Sequence, residues 1–323
     1  MGRPLLPLPI NNRRLQRVPV RQAMRSARVP YEFSAPSWCV RNEPSEGKDR
    51  DEFTIRNALR VIGTHTLGTV SESPAQRAGR ALAPGERAMA SLTADQVRRT
   101  PAYTMTEAAH YLRVPVTTLR AWCTGQDYHV KGQTRRYQRV ICLDGSGREG
   151  LSFLNLIEAH VLSGLRRVHH LPLPRIRRTL DWVSKQLNLS RPLAEAKFAT
   201  DGINLYVDHI SQLIDVDKGA QIAMREIIES YLARVERDPA GIPIKLYPFT
   251  RKEPAADTGR GVVIDPTVAF GRPVLAGTRV PTAILADRFK AGDALQELAD
   301  DYRTTSQAIE EALRCELNRR EAA

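Results

Sequence analysis

Three aspartates in the middle of the chain invite comparison with metal-dependent nucleases. Such enzymes gather carboxylates around magnesium, and Asp208, Asp215 and Asp217 are groups of this kind, with Asp265 further along. Two of the three fall at a predicted turn, where aspartate commonly bonds the local backbone. No nucleophile and base accompany them. We therefore predict no catalytic residues and no enzyme activity, and keep a nuclease as the enzyme alternative.

Histidine and cysteine are poorly placed to bind a metal ion. His169 and His170 adjoin a predicted helix end without further ligands, which favours a role beside the helix dipole or in solvent. We expect no metal, no cofactor and buried reduced thiols, because no C-x-x-C pair occurs. The four cysteines are Cys39, Cys123, Cys142 and Cys315.

Basic and small polar side chains between residues 106 and 139 are better suited to bind a ligand. Arginine and lysine bind phosphate oxygens and add affinity, whereas side chains at the start of a helix can reach base edges. We assign Arg135 and Arg136 to phosphates, and Thr117 and Arg120 to sequence preference. The predicted DNA-binding residues are Thr106, Thr117, Thr118, Arg120, Lys131, Arg135, Arg136, Tyr137 and Arg139.

These residues begin in a stretch, Tyr103 to Gly125, that predicts a helix-turn-helix. Thr104 and Glu107 form a capping box at the start of the first helix. Pro115 ends that helix and suits the first turn of the second, which we place from about Val116 to Cys123. A solvated helical hairpin is the alternative interpretation of the same pattern.

The following segment, YHVKGQTRRYQRV from Tyr128 to Val140, predicts two strands around a Lys131-Gly132-Gln133 turn. A β-wing of this composition beside a recognition helix would bring cations to phosphates, so it favours DNA binding over the solvated hairpin. Two amphipathic helices, about Phe153 to Val168 and Pro174 to Leu187, are predicted to close the domain.

Charge is unevenly distributed along the chain. The 323 residues carry a formal net charge of +12, and the basic excess lies in residues 1–180, while 181–323 is slightly acidic. This asymmetry fits nucleic acid at one end and a protein partner at the other. No apolar run is long enough to cross a membrane, and the N-terminus lacks a secretory apolar stretch. We predict a cytoplasmic protein with no membrane partner.

The predicted fold is mainly α with small β elements, an α+β class in several parts. The parts are a mostly disordered basic tail (1–100), a winged helix-turn-helix DNA-binding domain (101–188), a small α+β segment (189–250), a linker (251–260) and a C-terminal helical domain (261–323). The tail is an arm that follows DNA phosphates, a solvated extension, or a start-site artefact with the protein beginning near Met89.

The 189–250 segment mixes strand and helix patterns. Asp201-Gly202 predicts a hairpin turn, and Gln212 to Val216 predicts a further strand. Ile222 to Val235 has helical periodicity, and Pro243 to Phe249 predicts another strand.

The C-terminal domain begins with tight turns and continues as three predicted helices, which is again typical of a helix-turn-helix. Carboxylates on these helices oppose phosphate and favour a protein partner. They are Asp293, Glu297, Asp300, Asp301, Glu310 and Glu311. Arg272 and Arg279, beside the turn glycines Gly271 and Gly277, are the candidate partner-binding residues.

Two stretches resemble known families. Residues 103–180 resemble the winged helix-turn-helix of MerR-type regulators through TMTEAAHYLRVPVTTLRAW and the later RRY. Residues 261–317 are similar to the domain-of-unknown-function family four-three-three through IDP, GRPVLAGTRVPT and AGDALQELADDY. The combination resembles VapB-like antitoxins of mycobacterial type and leaves residues 1–100 outside the match.

The resemblance implies an antitoxin of a type II toxin-antitoxin system that binds and neutralises a PIN-like ribonuclease toxin and represses its own operon. Its partners would be duplex operator DNA and the toxin protein, and a homodimer on a palindromic site is the default for such DNA-binding proteins. The alternative is a stand-alone MerR-type transcriptional regulator whose middle segment, about 190–250, senses a small molecule. An adjacent reading frame for a small PIN-like protein would separate these two hypotheses.

Overall fold

The structure is a computed structural model that describes residues 93–130, 133–144, 150–167, 171–214, 218–251 and 259–317. It is mainly α-helical with small antiparallel sheets, as the sequence predicts. The helices are α1 (Ala94–Arg99), α2 (Met105–Leu112), α3 (Val116–Thr124), α4 (Phe153–Arg167), α5 (Leu173–Leu187), α6 (Ile203–Ile214), α7 (Lys218–Leu232), α8 (Thr282–Ala291), α9 (Leu295–Asp301) and α10 (Ser306–Leu317). The strands are β1 (Gln126–Val130), β2 (Gln133–Tyr137), β3 (Val235–Arg237), β4 (Pro243–Leu246), β5 (Val262–Ile264) and β6 (Pro273–Leu275). Within these ranges, no helix is long and apolar enough to cross a membrane.

The first helix-turn-helix forms from the signals that the sequence predicts. The Thr104 hydroxyl oxygen accepts the Glu107 N–H at 3.2 Å, and the Glu107 carboxylate accepts the Thr104 N–H at 2.9 Å. Arg113 ends α2 in the left-handed conformation with φ 53°, and Pro115 is the N-cap of α3. Leu119 of α3 is then fully buried in the core.

The predicted strands after α3 are present as an antiparallel hairpin, in which Val130 of β1 pairs with Gln133 of β2. Residues 131–132, which the sequence places in the turn, lie outside the described residues. Gln126 and His129 fall on opposite faces of β1, and both are exposed. The hairpin therefore presents side chains to solvent from both faces.

A buried polar network fastens α4 to its neighbours. The Arg191 guanidinium, in a residue only 5% exposed, donates to the carboxylates of Asp144 and Glu158. The Asn155 amide donates to Glu158 at 2.9 Å and to the Cys142 carbonyl at 2.8 Å. Burial raises the pKa of Glu158, and the Arg191 charge opposes that rise. Removing either charged partner would leave the other buried and unpaired.

The middle segment differs from the prediction at Asp201-Gly202. These residues do not form a hairpin turn, because they end a π-helical turn (Phe198–Gly202) that continues directly into α6. The strand predicted from Gln212 is also wrong, since α6 extends to Ile214. Helical spacing of buried side chains outweighs the local Asp-Gly signal. These side chains belong to Ile203, Tyr206, Val207 and Ile210.

A four-stranded antiparallel sheet, in the order β3-β4-β5-β6, contains strands from both the middle segment and the C-terminal region. Leu246 of β4 pairs with Ile264 of β5. Arginines reinforce this junction: Arg234 donates to the Gly259 carbonyl, and Arg260 donates to a carbonyl at the end of α7 at 2.8 Å. Residues on either side of the predicted linker therefore share one sheet.

Helices α9 and α10 form the second predicted helix-turn-helix and repeat the geometry of α2 and α3. Arg303 follows α9 with φ 52°, as Arg113 follows α2 with φ 53°. Glu297 accepts the N-cap N–H of α9 at 3.0 Å, and Glu107 accepts that of α2 at 2.9 Å. Glu297 and Arg303 of the second motif each follow their counterparts in the first motif, Glu107 and Arg113, by the same number of residues. The same backbone motif thus occurs twice.

The cysteines follow the prediction in part. Cys123 and Cys315 are unpaired and buried, and burial raises the pKa of Cys123 to about 12. The expectation of a reduced thiol is wrong for Cys142, which is disulfide-bonded. C-x-x-C spacing reports only on cysteines that are close in the sequence, so its absence does not exclude a disulfide.

His160 of α4 is buried in the core among aromatic rings. Its Nε2 lies 2.9 Å from the Tyr231 carbonyl oxygen, and its ring stacks on Phe249 with centroids 5.7 Å apart. Burial lowers the pKa of His160 from 6.5 to about 4. The folded protein therefore holds this imidazole neutral at mildly acidic pH.

We expect His160 to make folding stability depend on pH. As pH falls below about 6.5, the unfolded chain binds a proton that the folded chain does not, so the stability that His160 contributes at neutral pH is lost, on the order of 3 kcal/mol by about pH 4. Urea unfolding across this pH range should show the loss in the wild type and a smaller loss in His160→Gln. If the free energy of unfolding changes with pH in the same way for the wild type and for His160→Gln, the expectation is contradicted.

Candidate nucleic-acid interface

The solvent-facing side of α3 is the candidate recognition surface. Thr117, Arg120 and Thr124 are exposed at helical spacing, while Leu119 and Trp122 on the other side are buried. Within the described part of the chain, the Arg120 guanidinium has no hydrogen-bond or ion-pair partner. The exposed side of α3 therefore presents the Arg120 guanidinium, which has no partner among the described residues, between the hydroxyl side chains of Thr117 and Thr124.

Two other helix residues predicted to bind DNA, Thr106 and Thr118, lie outside this exposed row. Thr106 is exposed in the first turn of α2, where a positive helix end favours anions. Thr118 is only partly exposed. Both positions remain predictions for DNA contact.

The predicted hairpin residues fall into different environments. Arg139, just after β2, is exposed and has no side-chain partner among the described residues. Tyr137 is partly exposed at the end of β2. Lys131 lies outside the described residues, and Arg135 is described only by its place in β2. Arg136, in contrast, donates to carbonyl and carboxylate oxygens at the end of α3 and in β1.

The base of the hairpin is attached closely to α3. Gly125 connects α3 to β1 with φ 79°, and a Cβ there would collide with the Tyr137 carbonyl oxygen. On the returning strand, the Val140 N–H donates to the Trp122 carbonyl at 2.8 Å. Arg177 of α5 donates to a carbonyl just after β2 at 3.1 Å. The hairpin thus has several attachments at its base.

The C-terminal region docks on α2 through charged side chains. Arg272 donates to one carboxylate oxygen of Glu107, while the other oxygen accepts from Thr104 in the capping box. Burial alone would raise the pKa of Glu107, but hydrogen bonds from Thr104 and Arg272 outweigh it and lower the pKa. Arg113 also donates to the Arg314 carbonyl at 3.0 Å. The candidate partner residue Arg272 is therefore engaged inside the chain.

Packing reinforces this docking at the turn before β6. Gly271 has φ 75°, and a Cβ there would collide with the buried Tyr103 hydroxyl. A cavity of about 20 Å³ beside Tyr103 has room for a single water molecule. Gly277 also has positive φ, but nothing lies near its missing Cβ. Gly271 is therefore favoured both by its positive φ and by close packing, whereas Gly277 is favoured by its positive φ alone.

Sequence reasoning missed the pairing of Glu107 with Arg272 because 165 residues separate them. A local pattern identifies Glu107 as a cap residue and carries no information about a distant cation. Arg279, the second candidate partner residue, is exposed and has no partner among the described side chains.

The carboxylates considered for catalysis are dispersed. Asp208 is exposed on α6, and Asp265 accepts the Thr267 N–H at 2.8 Å in a local turn. Asp215, Asp217, His169 and His170 lie outside the described residues. Across the described ranges, no three His, Cys, Asp or Glu side chains are grouped to hold a metal ion.

Comparisons with known families match both helix-turn-helix regions. The family described as "Putative DNA-binding HTH domain" matches residues 101–180, and the family described as "Protein of unknown function (DUF433)" matches residues 262–314. The second match falls where the sequence resemblance placed it. The chain therefore contains two separate stretches that match known families, the first of which is described as a "Putative DNA-binding HTH domain".

Comparisons with individual proteins add one named relative. The chain is similar to "Putative antitoxin VapB45" of Mycobacterium tuberculosis (strain ATCC 25618 / H37Rv), with 29% identity over 231 residues, 66% of this chain and 92% of the relative. It is also similar to the crystal structure of Rv2018 from Mycobacterium tuberculosis, with 27% identity and a TM-score of 0.47, covering 66% of this chain and 97% of that one.

We expect Arg272→Ala to destabilise the protein by on the order of 1 kcal/mol, since it removes a partly exposed ion pair and uncovers a capping carboxylate. Arg279→Ala is the matched control and should change stability by less than about 0.5 kcal/mol. Urea unfolding of both variants, with Glu107→Gln and the Glu107→Gln, Arg272→Ala double variant, gives the coupling energy. Equal effects of Arg272→Ala and Arg279→Ala, or zero coupling, would contradict the assignment.

Proposed function

We propose that this protein is an antitoxin that binds duplex operator DNA and represses its own operon. The observation that carries the proposal is the exposed surface of α3, where Arg120 faces solvent without a partner among the described residues. The match to a helix-turn-helix family and the similarity to a protein named as an antitoxin support it.

In this proposal, α3 enters the major groove of B-form DNA and the hairpin acts as a wing beside it. Thr117 and Arg120 contact base edges, while Arg139 contacts phosphate. The basic excess of the first 180 residues adds attraction that depends on salt. A homodimer on a palindromic operator would place the two copies of α3 about 34 Å apart.

The proposed toxin-binding surface lies on the C-terminal helices. Asp287 and Asp300 are exposed there, and Glu310 of α10 occupies the position that Arg120 occupies in α3. Such a surface repels phosphate and suits the basic surface expected of a ribonuclease of PIN-like fold. Neutralisation by binding needs neither a catalytic group nor a cofactor, so the protein is proposed to act as a regulator and not as an enzyme.

Two arginine variants should separate base contacts from phosphate contacts. Arg120→Ala should change which sequences are preferred, with a cost of about 1–3 kcal/mol on the best site, whereas Arg139→Ala should weaken binding to all sequences alike. Selection from a random duplex library with the full chain, followed by affinity measurements at several salt concentrations, distinguishes the two effects. Indistinguishable variants would reject the placement of α3, and wild-type affinity that is independent of salt would reject DNA binding.

A charge reversal tests the toxin-binding surface. Asp300→Lys should weaken binding of the proposed PIN-like toxin by roughly tenfold, because a like charge would meet its basic surface. Asp208→Lys reverses an exposed carboxylate on α6 and should leave binding unchanged. Affinity between purified proteins and rescue of toxin-expressing cells provide the measurements. Normal binding by Asp300→Lys, or equal loss by both variants, would count against this surface.

A further inference from the structure

Arg136 differs from the other cations of the candidate interface because its side chain is already engaged. Its Nη2 donates to the Thr124 carbonyl at 2.9 Å, at the last residue of α3. Its Nη1 lies 3.5 Å from an Asp127 carboxylate oxygen of β1. One guanidinium therefore contacts the recognition helix and the partner strand of its own hairpin.

The contact with Thr124 satisfies a helix end. Carbonyl groups in the last turn of a helix lack intrahelical partners and carry partial negative charge, so they favour a cation. The guanidinium fork suits such a site because it presents several donors in a fixed plane. Arg136 thus stabilises the end of α3 and holds β2 against it.

The charge of Arg136 is also partly cancelled where it lies. Asp127 is directly opposite Arg136 in the register of β1 and β2, and the side chains of the two residues are 55% and 56% exposed. A carboxylate therefore lies opposite Arg136 across the hairpin and offsets part of its charge.

The backbone around Arg136 leaves the hairpin little freedom to reorient. Its guanidinium passes over Gly125, where a Cβ would lie 3.5 Å from Arg136 Nε and would collide with β2. The returning chain is bonded to α3 through the N–H groups of Val140 and Ile141, which both donate to the Trp122 carbonyl. Arg136 adds a side-chain contact between β2 and the end of α3 to these backbone contacts.

We propose that Arg136 is a positioning residue for DNA recognition: it fixes the angle between the β1–β2 hairpin and α3 and does not contact a phosphate. This inference rests on the proposed DNA binding by α3 and the hairpin. It differs from the sequence-based expectation that Arg136 contacts a phosphate.

The test compares Arg136→Ala with Arg139→Ala in the full chain, using a labelled mixed-sequence DNA duplex at several salt concentrations. Loss of a phosphate contact lowers the slope of log affinity against log salt by about 0.9, which is the result expected for Arg139→Ala. Arg136→Ala should instead leave the slope at the wild-type value and weaken affinity roughly three- to tenfold at every salt concentration. Thermal melting checks that both variants fold.

Arg136→Lys provides a second variant, because it keeps the charge but cannot donate as a fork to both oxygens. It should also lose affinity without a change of slope. A lower slope for Arg136→Ala, wild-type affinity for Arg136→Ala, or full recovery by Arg136→Lys would each overturn the positioning role. If the wild-type protein fails to bind the duplex at all, the proposed function fails, and that outcome is distinct from the three above.

Discussion

The Glu107 carboxylate is the point at which the two helix-turn-helix regions meet. One oxygen completes the capping box that begins α2, and the other accepts from Arg272 of the C-terminal region. A half-buried carboxylate is costly unless its oxygens are paired, and here two donors compensate its burial and lower its pKa. The side chain that caps the first helix of the first helix-turn-helix therefore also contacts the C-terminal region.

A second junction makes this docking part of one continuous core. Glu311 of α10 accepts the Gly261 N–H at 2.7 Å, and Arg234 holds the Gly259 carbonyl from the middle segment. The Glu311 carboxylate approaches both glycines closely, so a Cβ at either position would displace it. The chain therefore enters β5 between two charged side chains, and buried apolar residues continue from Tyr103 to Cys315.

The sequence predicts what depends on neighbouring residues and misses what depends on distant ones. The capping box at Thr104, the break at Pro115, the hairpin and the C-terminal helices all follow from signals within a few residues. Asp201-Gly202 misleads because its glycine serves packing: a Cβ on Gly202 would lie 2.8 Å from the Phe198 ring. The exposed side of α3 was predicted from helical spacing. The contact between Arg272 and Glu107 could not be predicted, because 165 residues separate the two along the chain.

The repeated motif shows that one backbone geometry can carry side chains of opposite charge. In both copies a carboxylate caps the first helix and a left-handed arginine makes the turn, so the second helices leave their turns with the same geometry. At matched positions, α3 carries Arg120, which has no partner in the described part of the chain, whereas α10 carries Glu310, which pairs with Arg314. A phosphate approaching α3 meets an available cation, and one approaching α10 meets a carboxylate and an arginine already in use. Side-chain charge, placed on one shared scaffold, therefore decides which of the two motifs is suited to nucleic acid.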